Sequence, residues 1–263
     1  MKGSDFLSSM KEIWDAYQLY ASTCAVRRKG FELVGMTAPT PDEVPDIADS
    51  FVSRGESDLE HQAKVSWLAS AIIGSGNDTF FELLPHQSAR LWSIITVALC
   101  HDVGEISVGD IPHDGNALHD TKDEIEKEVF NKMADIYSPW NFRFLAVGNF
   151  KNFQDKTTHN GKAIYALDKL DAVLTQLLYE KHGCSGSILL KPEPTDSDNY
   201  YMQMTGTDNS ADCWAAHTVS LIRDFPPQIK NVVLDLIDIA VHDVRGEPFD
   251  WWDKDILPYK RDH

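Results

Sequence analysis

Gln87-Ser88-Ala89-Arg90-Leu91-Trp92-Ser93-Ile94-Ile95-Thr96-Val97-Ala98-Leu99-Cys100-His101-Asp102-Val103-Gly104 is the stretch that decides the fold. Leu91, Ile94, Ile95, Ala98 and His101 recur at helical spacing, which predicts a helix from about Gln87 to Asp102. Gly104 is well placed to end it. The apolar stripe therefore runs into an imidazole and a carboxylate. A lone His on such a face is more often a satisfied core histidine than a ligand, and a His-Asp pair at a helix end can be a cap or an ion pair. The pair gains meaning only if other helices bring matching groups.

Two helices do. Ser57 with Glu60 three residues later forms a capping-box pattern, and the helix it opens puts His61, Val65, Leu68 and Ile72 on one face. Residues 161–181 form a long apolar helix with Ile164, Leu167, Leu174 and Leu178, and Asp168 lies between Leu167 and Asp171. Alone, Asp168 can pair with Lys162 or Lys169. A buried carboxylate is costly unless it is paired or coordinates a cation. Two imidazoles and two carboxylates from separate helices suit an octahedral site for a borderline divalent metal. With both His neutral, their summed charge cancels that of the ion, and two positions remain for water and a phosphate oxygen.

Outward from these helices the chain stays mostly helical. Residues 5–26 and 121–137 carry apolar residues at helical spacing, and residues 33–56 read as a loop rich in Pro, Asp and Ser. Residues 183–209 change character, with Gly, Ser, Asp and Pro. Ser187–Lys191 and Tyr200–Met204 alternate in a way that suits a hairpin. Helices near 210–224 and 227–243 follow, split by Pro226-Pro227. From Gly246 a tail with Trp251, Trp252 and Pro258 reads as irregular. The expected fold is an all-α domain over residues 5–182, with a mostly helical extension over 183–263 packed on it.

Composition narrows the functional classes. The chain has 263 residues and a net charge of −17. Such acidity argues against a nucleic-acid polymer as partner, because phosphate backbones need a basic footprint. It leaves room for a small phosphorylated substrate, since a bound cation and one or two arginines reverse the potential locally. No apolar run reaches the roughly 18 residues of a membrane span. Met1-Lys2-Gly3-Ser4-Asp5 does not open a signal peptide, so a cytoplasmic location is expected. Cys24, Cys100, Cys184 and Cys213 form no CxxC pair and read as reduced thiols.

The order His61…His101-Asp102…Asp168 resembles the HD-domain superfamily of metal-dependent phosphohydrolases. The words around the ligands are more specific. Glu56-Ser57-Asp58-Leu59-Glu60-His61 resembles the Glu-Ser-x-x-x-His segment of the 5′-nucleotidase and 5′-deoxynucleotidase subgroup. His101-Asp102-Val103-Gly104-Glu105 followed by Gly109-Asp110-Ile111 is similar to its His-Asp-x-x-Glu…Gly-Asp block. Leu167-Asp168-Lys169-Leu170-Asp171 with Tyr179-Glu180 resembles its last-ligand helix. The likeness covers roughly residues 10–182 of the chain.

The resemblance implies an HD-like helical bundle that releases phosphate from nucleoside or deoxynucleoside 5′-monophosphates. It implies one divalent ion (Mn, Co, Ni, Fe, Zn or Mg) on His61, His101, Asp102 and Asp168, with Asp171 the rival for the last position. Glu105 matches the acidic residue that handles protons, and Asp110 the carboxylate near sugar and phosphate. Arg28-Lys29-Gly30-Phe31 resembles the family's Arg-x-Gly-Trp, which places Arg28 on phosphate and Phe31 on the nucleoside. Phe31 stands where the family usually has Trp, and the segment from Phe31 to Glu56 is longer than the family pattern. A homodimer is a further implication.

The rival readings are another HD-type nucleotide phosphohydrolase, acting on triphosphate, stringent-response or cyclic substrates, and a non-catalytic metal or nucleotide sensor. Ile106 after Glu105 speaks against the stringent-response group, which carries Glu-Asp after its His-Asp pair. The Gly-Tyr-Pro signature of cyclic-dinucleotide phosphodiesterases is absent. A pure sensor has no need of Glu105. His113, His119 and His159 show no ligand spacing.

Overall fold

The computed structural model describes residues 57–75, 79–82, 94–95, 97–99, 101–102, 124–125, 128, 156–181 and 183–252. The helix expected at 5–26 and the loop expected at 33–56 lie outside these residues. Within 121–137, Glu124, Ile125 and Glu128 are described, and all are helical. The described fold is all-α, as the sequence predicts, and includes no strand.

Helix α1, Asp58–Gly74, starts on the expected capping box. The Glu60 N–H donates to Ser57 Oγ at 3.4 Å, and the Ser57 N–H donates back to Glu60 Oε2 at 2.9 Å. Asp58 and Glu60 in the first turn also complement the positive end of the helix dipole. His61, Val65, Ala69 and Ile72 are buried on the inward face. His61 is thus fixed in the first turn of a firmly capped helix.

Helix α2, His159–Lys181, is the central element. It starts two residues before the expected 161, because the Thr158 hydroxyl accepts the Gly161 N–H at 3.0 Å and caps the turn. It ends where the Cys184 N–H reaches Tyr179 O and the Gly183 N–H reaches Glu180 O, the closing bonds of a Schellman motif. Gly183 takes the left-handed conformation this requires, with φ 86°. Leu167, Leu170, Val173 and Leu177 are fully buried or nearly so. Truncating one such leucine to alanine costs about 2–5 kcal/mol.

The expected hairpin is absent. Ile188–Leu190 forms a 3-10 turn, and residues 200–204 lie within helix α3, Asp196–Thr205. Thr195 and Asp198 form a capping box at its start, and this nucleating signal outweighs the short alternation. Ser187 instead meets Asn209, beyond the expected second strand, in an isolated antiparallel bridge. Helix α4, Ser210–Ile222, is capped by Asn209, whose Oδ1 accepts the Ala211 and Asp212 N–H groups. Pro226 and Pro227 then separate it from helix α5, Pro227–Arg245, with Pro227 in the first turn where its missing N–H costs nothing.

Helices α4 and α5 pack on α2, and α1 packs on it from another side. One apolar cluster joins α1, Ile94, Val97, Ala98, α2, α4, α5 and the Phe249, Trp251 and Trp252 side chains beyond α5. The chain after residue 183 thus shares its core with the helices before it. It braces α2, the helix that carries Asp168. Among the described residues no helix is long and apolar enough to cross a membrane.

Candidate metal centre

Three segments that are far apart in sequence meet at one point. His61 comes from α1, His101 and Asp102 follow the helical residues at 97–99, and Asp168 comes from α2. The His61 Nε2 atom lies 3.2 Å from His101 Nε2 and 3.1 Å from Asp168 Oδ1. Asp102 Oδ2 stands 3.4 Å from His61 Nε2 and 3.3 Å from His101 Nε2. His101 Nε2 is 3.7 Å from Asp168 Oδ1. Both imidazoles and Asp168 are buried, while Asp102 keeps some exposure.

The outer ring nitrogens decide what these inner atoms offer. His101 Nδ1 lies 2.8 Å from Ala98 O, a carbonyl that can only accept, so it carries the hydrogen. His61 Nδ1 lies 2.7 Å from Asp171 Oδ2, a carboxylate that also accepts. In the neutral state both rings therefore turn an Nε2 lone pair inward, toward carboxylate oxygens. A proton satisfies one such pair at a time. A single cation satisfies every member together. Around a small divalent ion with bonds of about 2.0–2.2 Å, neighbouring ligands stand roughly 3 Å apart, and these donors have that spacing. The donor set fits such an ion in number, type and charge.

The carboxylates are held ionised. Burial pushes Asp168 upward, but the Lys169 ammonium at 2.8 Å and the His101 and His61 rings outweigh it, leaving the group well below the usual carboxylate range. Asp171 behaves likewise: burial raises it, and Lys64 and His61 bring it down. Lys64 lies 3.2 Å from Asp171 Oδ2 and donates to the Thr175 hydroxyl.

The four expected metal ligands can now be placed. His61, His101, Asp102 and Asp168 converge, and His61, His101 and Asp168 offer donor atoms within 4.8 Å of one another. Asp171, the rival for the last position, instead contacts the outer nitrogen of His61. Glu105, Asp110, Arg28 and Phe31 lie outside the described residues. His159 sits against Phe80 O at 3.0 Å, in keeping with a non-ligand. Sequence reasoning missed the contacts of Lys64 with Thr175 and with Asp171. The available signal was spacing, since His61 and Lys64 on α1, like Asp168 and Asp171 on α2, are three residues apart and share a helix face.

An all-helical domain with histidine and aspartate donors converging from three segments defines a class of metal-binding helical proteins. The HD domain family pattern matches residues 48–188, more than half of the chain, and the chain belongs to that family. Proteins of this family bind divalent metals and are typically metal-dependent phosphohydrolases. No functionally curated protein matches the chain. Among solved structures, a conserved hypothetical protein from Pyrococcus furiosus is 18% identical, with 65% of this chain and 83% of that one covered and a TM-score of 0.45. The PH0347 protein from Pyrococcus horikoshii is 17% identical over 86% of this chain and 96% of its own, with a TM-score of 0.49. Neither name states an activity.

Proposed function

We propose that this protein is a divalent-metal-dependent phosphomonoesterase that acts on nucleoside or deoxynucleoside 5′-monophosphates. One observation carries the reading. Four donors, His61 Nε2, His101 Nε2, Asp102 Oδ2 and Asp168 Oδ1, converge at 3.1–3.7 Å with both imidazole lone pairs turned inward. These four residues are the ligands. A divalent ion held there supplies the Lewis acidity that polarises a phosphoryl oxygen and makes water a usable nucleophile at neutral pH.

The remaining roles belong to the chain's own groups. Glu105, three residues past Asp102, takes a proton from the attacking water and orients it. The leaving sugar oxygen needs a proton, which Glu105 after uptake, or Asp110, provides. Arg28 offsets charge on the phosphoryl oxygens with paired hydrogen bonds, and Phe31 contacts the nucleoside. The substrate class is supported by Glu105 and Gly109-Asp110 standing where the nucleotidase subgroup carries them.

A phosphate-release assay on a panel of 5′-mononucleotides, run on metal-stripped protein reloaded in turn with Mn, Co, Ni, Mg and Zn, tests the proposal. Turnover with at least one metal, lost on Asp168→Asn, is expected. No release with any metal would leave a binding protein. Release from triphosphates alone would move the substrate class.

A further inference from the structure

We infer that Asp171 and Lys64 are positioning residues that together decide which nitrogen of His61 serves as a metal ligand, an inference that rests on the ligand set proposed above. An imidazole ring has two chemically similar nitrogens, and a neutral ring carries its hydrogen on either. What selects one is the hydrogen bond made by the other. His61 Nδ1 meets Asp171 Oδ2 at 2.7 Å, and both side chains are buried. Asp171 thus fixes the hydrogen on Nδ1 and leaves the lone pair on Nε2, which is the atom facing His101, Asp102 and Asp168.

Asp171 is itself held. Lys64, one turn along α1 from His61, stands 3.2 Å from the same Oδ2 atom and donates to Thr175, one turn along α2 from Asp171. The arrangement is a chain of three contacts running His61, Asp171, Lys64, Thr175, two residues from each helix, that ties the axial register of α1 to that of α2. A slip of either helix by a fraction of a turn would break the His61–Asp171 contact and carry Asp168 away from His61 together. Lys64 also sets a positive charge 3.2 Å from Asp171, beside a site that already holds Asp102 and Asp168. Asp168 and Asp171 therefore divide the work: one faces the ion, and the other faces the ligand.

The test is metal affinity rather than turnover. Mn2+ and Co2+ are titrated calorimetrically into metal-stripped full-length protein, and the visible spectrum of the Co2+ form is recorded. Leu, Asn and Asp share one branched heavy-atom skeleton, Leu being the bulkiest, so Asp171→Leu removes the acceptor at some cost in overpacking, whereas Asp171→Asn restores a carbonyl acceptor for the Nδ1 hydrogen. Asp171→Leu is expected to weaken binding about 10–100-fold and to alter the Co2+ bands, and Asp171→Asn to return affinity to within about tenfold of the parent. Lys64→Met, at a side chain 28% exposed and reachable without disturbing the core, is expected to weaken binding by less than Asp171→Leu, about three- to tenfold.

Parent-like affinity in Asp171→Leu, with Asp168→Asn devoid of binding, would overturn the inference while leaving the ligand set intact. Loss in Asp171→Asn as complete as in Asp168→Asn would make Asp171 a ligand and overturn it too. Parent-like binding in both Asp168→Asn and His61→Ala would instead remove the ligand set itself. If Asp171→Leu fails to fold by circular dichroism, the Asp171→Asn and Lys64→Met affinities decide, and unchanged binding in Lys64→Met overturns the pairing.

Discussion

His61 Nε2 and Asp168 Oδ1 stand 3.1 Å apart although 107 residues separate them in the chain. Both imidazoles and the Asp102 and Asp168 carboxylates crowd around one point, and a cation held there would satisfy them together. Binding to the native state alone stabilises by about 2.7 kcal/mol at a hundred times the dissociation constant. For a domain of this size that raises the melting temperature by about 5–10 °C. Scanning fluorimetry of metal-stripped protein with and without Mn2+ measures the shift. Asp168→Ala should show none, and an equal shift in that variant would place the stabilising ion elsewhere.

Arg245 closes the other end of α2. Its Nε and Nη2 reach the Glu180 carboxylate at 2.8–2.9 Å, and Nη1 reaches Asp212 Oδ1 at 2.5 Å. One guanidinium thus ties the ends of α2, α4 and α5. Burial lifts the Asp212 carboxyl above its ordinary value even with Arg245 lowering it. Arg245→Ala leaves two largely buried carboxylates facing each other. It should cost about 3 kcal/mol, toward the low end for breaking a buried pair because Arg245 is partly exposed. Arg245→Lys should recover only part, since an ammonium cannot span two oxygens in a fork. Urea unfolding of the three proteins gives the comparison, and a cost within about 0.5 kcal/mol of zero would reduce the cluster to a surface ion pair.

In the proposed mechanism, Glu105 is the residue on which hydrolysis, as opposed to binding, turns. Removing a general base lowers turnover about 10²–10⁴-fold. Glu105→Ala should show that loss in kcat while metal content, measured by atomic emission, stays at the parent level. Full turnover in this variant would sink the assigned role, and loss of the ion would make Glu105 part of the metal site.

Much of this was legible in the sequence because the signals were local. Ser57 with Glu60 and Pro226-Pro227 between helices each act within one turn, so their reading holds in the structure. The hairpin expected at 187–204 failed for the same reason in reverse. A period-two pattern over five residues is a weak signal beside the Thr195–Asp198 capping box that starts α3. The ligand faces were legible because His61, His101 and Asp168 interrupt apolar stripes. Whether Asp168 or Asp171 faces the other donors was not. Both lie on the same side of α2, and only the rotation of α2 against α1, set by packing along its whole length, separates them.

The lowered Asp168 and Asp171 carboxyls give a signed acid response. A carboxyl whose native value lies below its unfolded value near 3.8 contributes stability that is complete above that value. The contribution is lost as pH falls through the depressed native value. In metal-free protein the stability difference between parent and Asp171→Asn should therefore be constant from pH 7 to about 5 and shrink below about 4. Urea midpoints across that range supply the curve. A difference that widens toward acid would mean Asp171 is raised rather than lowered in the native state.

Cys213 gives the opposite limb. It is 3% exposed, packed against Tyr179 and Ile188, and burial pushes its thiol from 9.0 up to about 11, although the Thr205 hydroxyl nearby works the other way. A group that stays protonated in the native state but ionises in the unfolded chain favours unfolding as pH rises. Stability should therefore decline between pH 9 and 11 by a component absent from Cys213→Ala. The same burial withholds the thiolate from electrophiles. Iodoacetamide at pH 8.5, followed by peptide mass analysis, should modify the less buried Cys184 well before Cys213, and urea should abolish the difference. Equal labelling of the two in the native protein would show that the Tyr179, Ile188 and Cys213 cluster opens on the timescale of the reaction, and that the C-terminal helices hold α2 less firmly than their shared core implies.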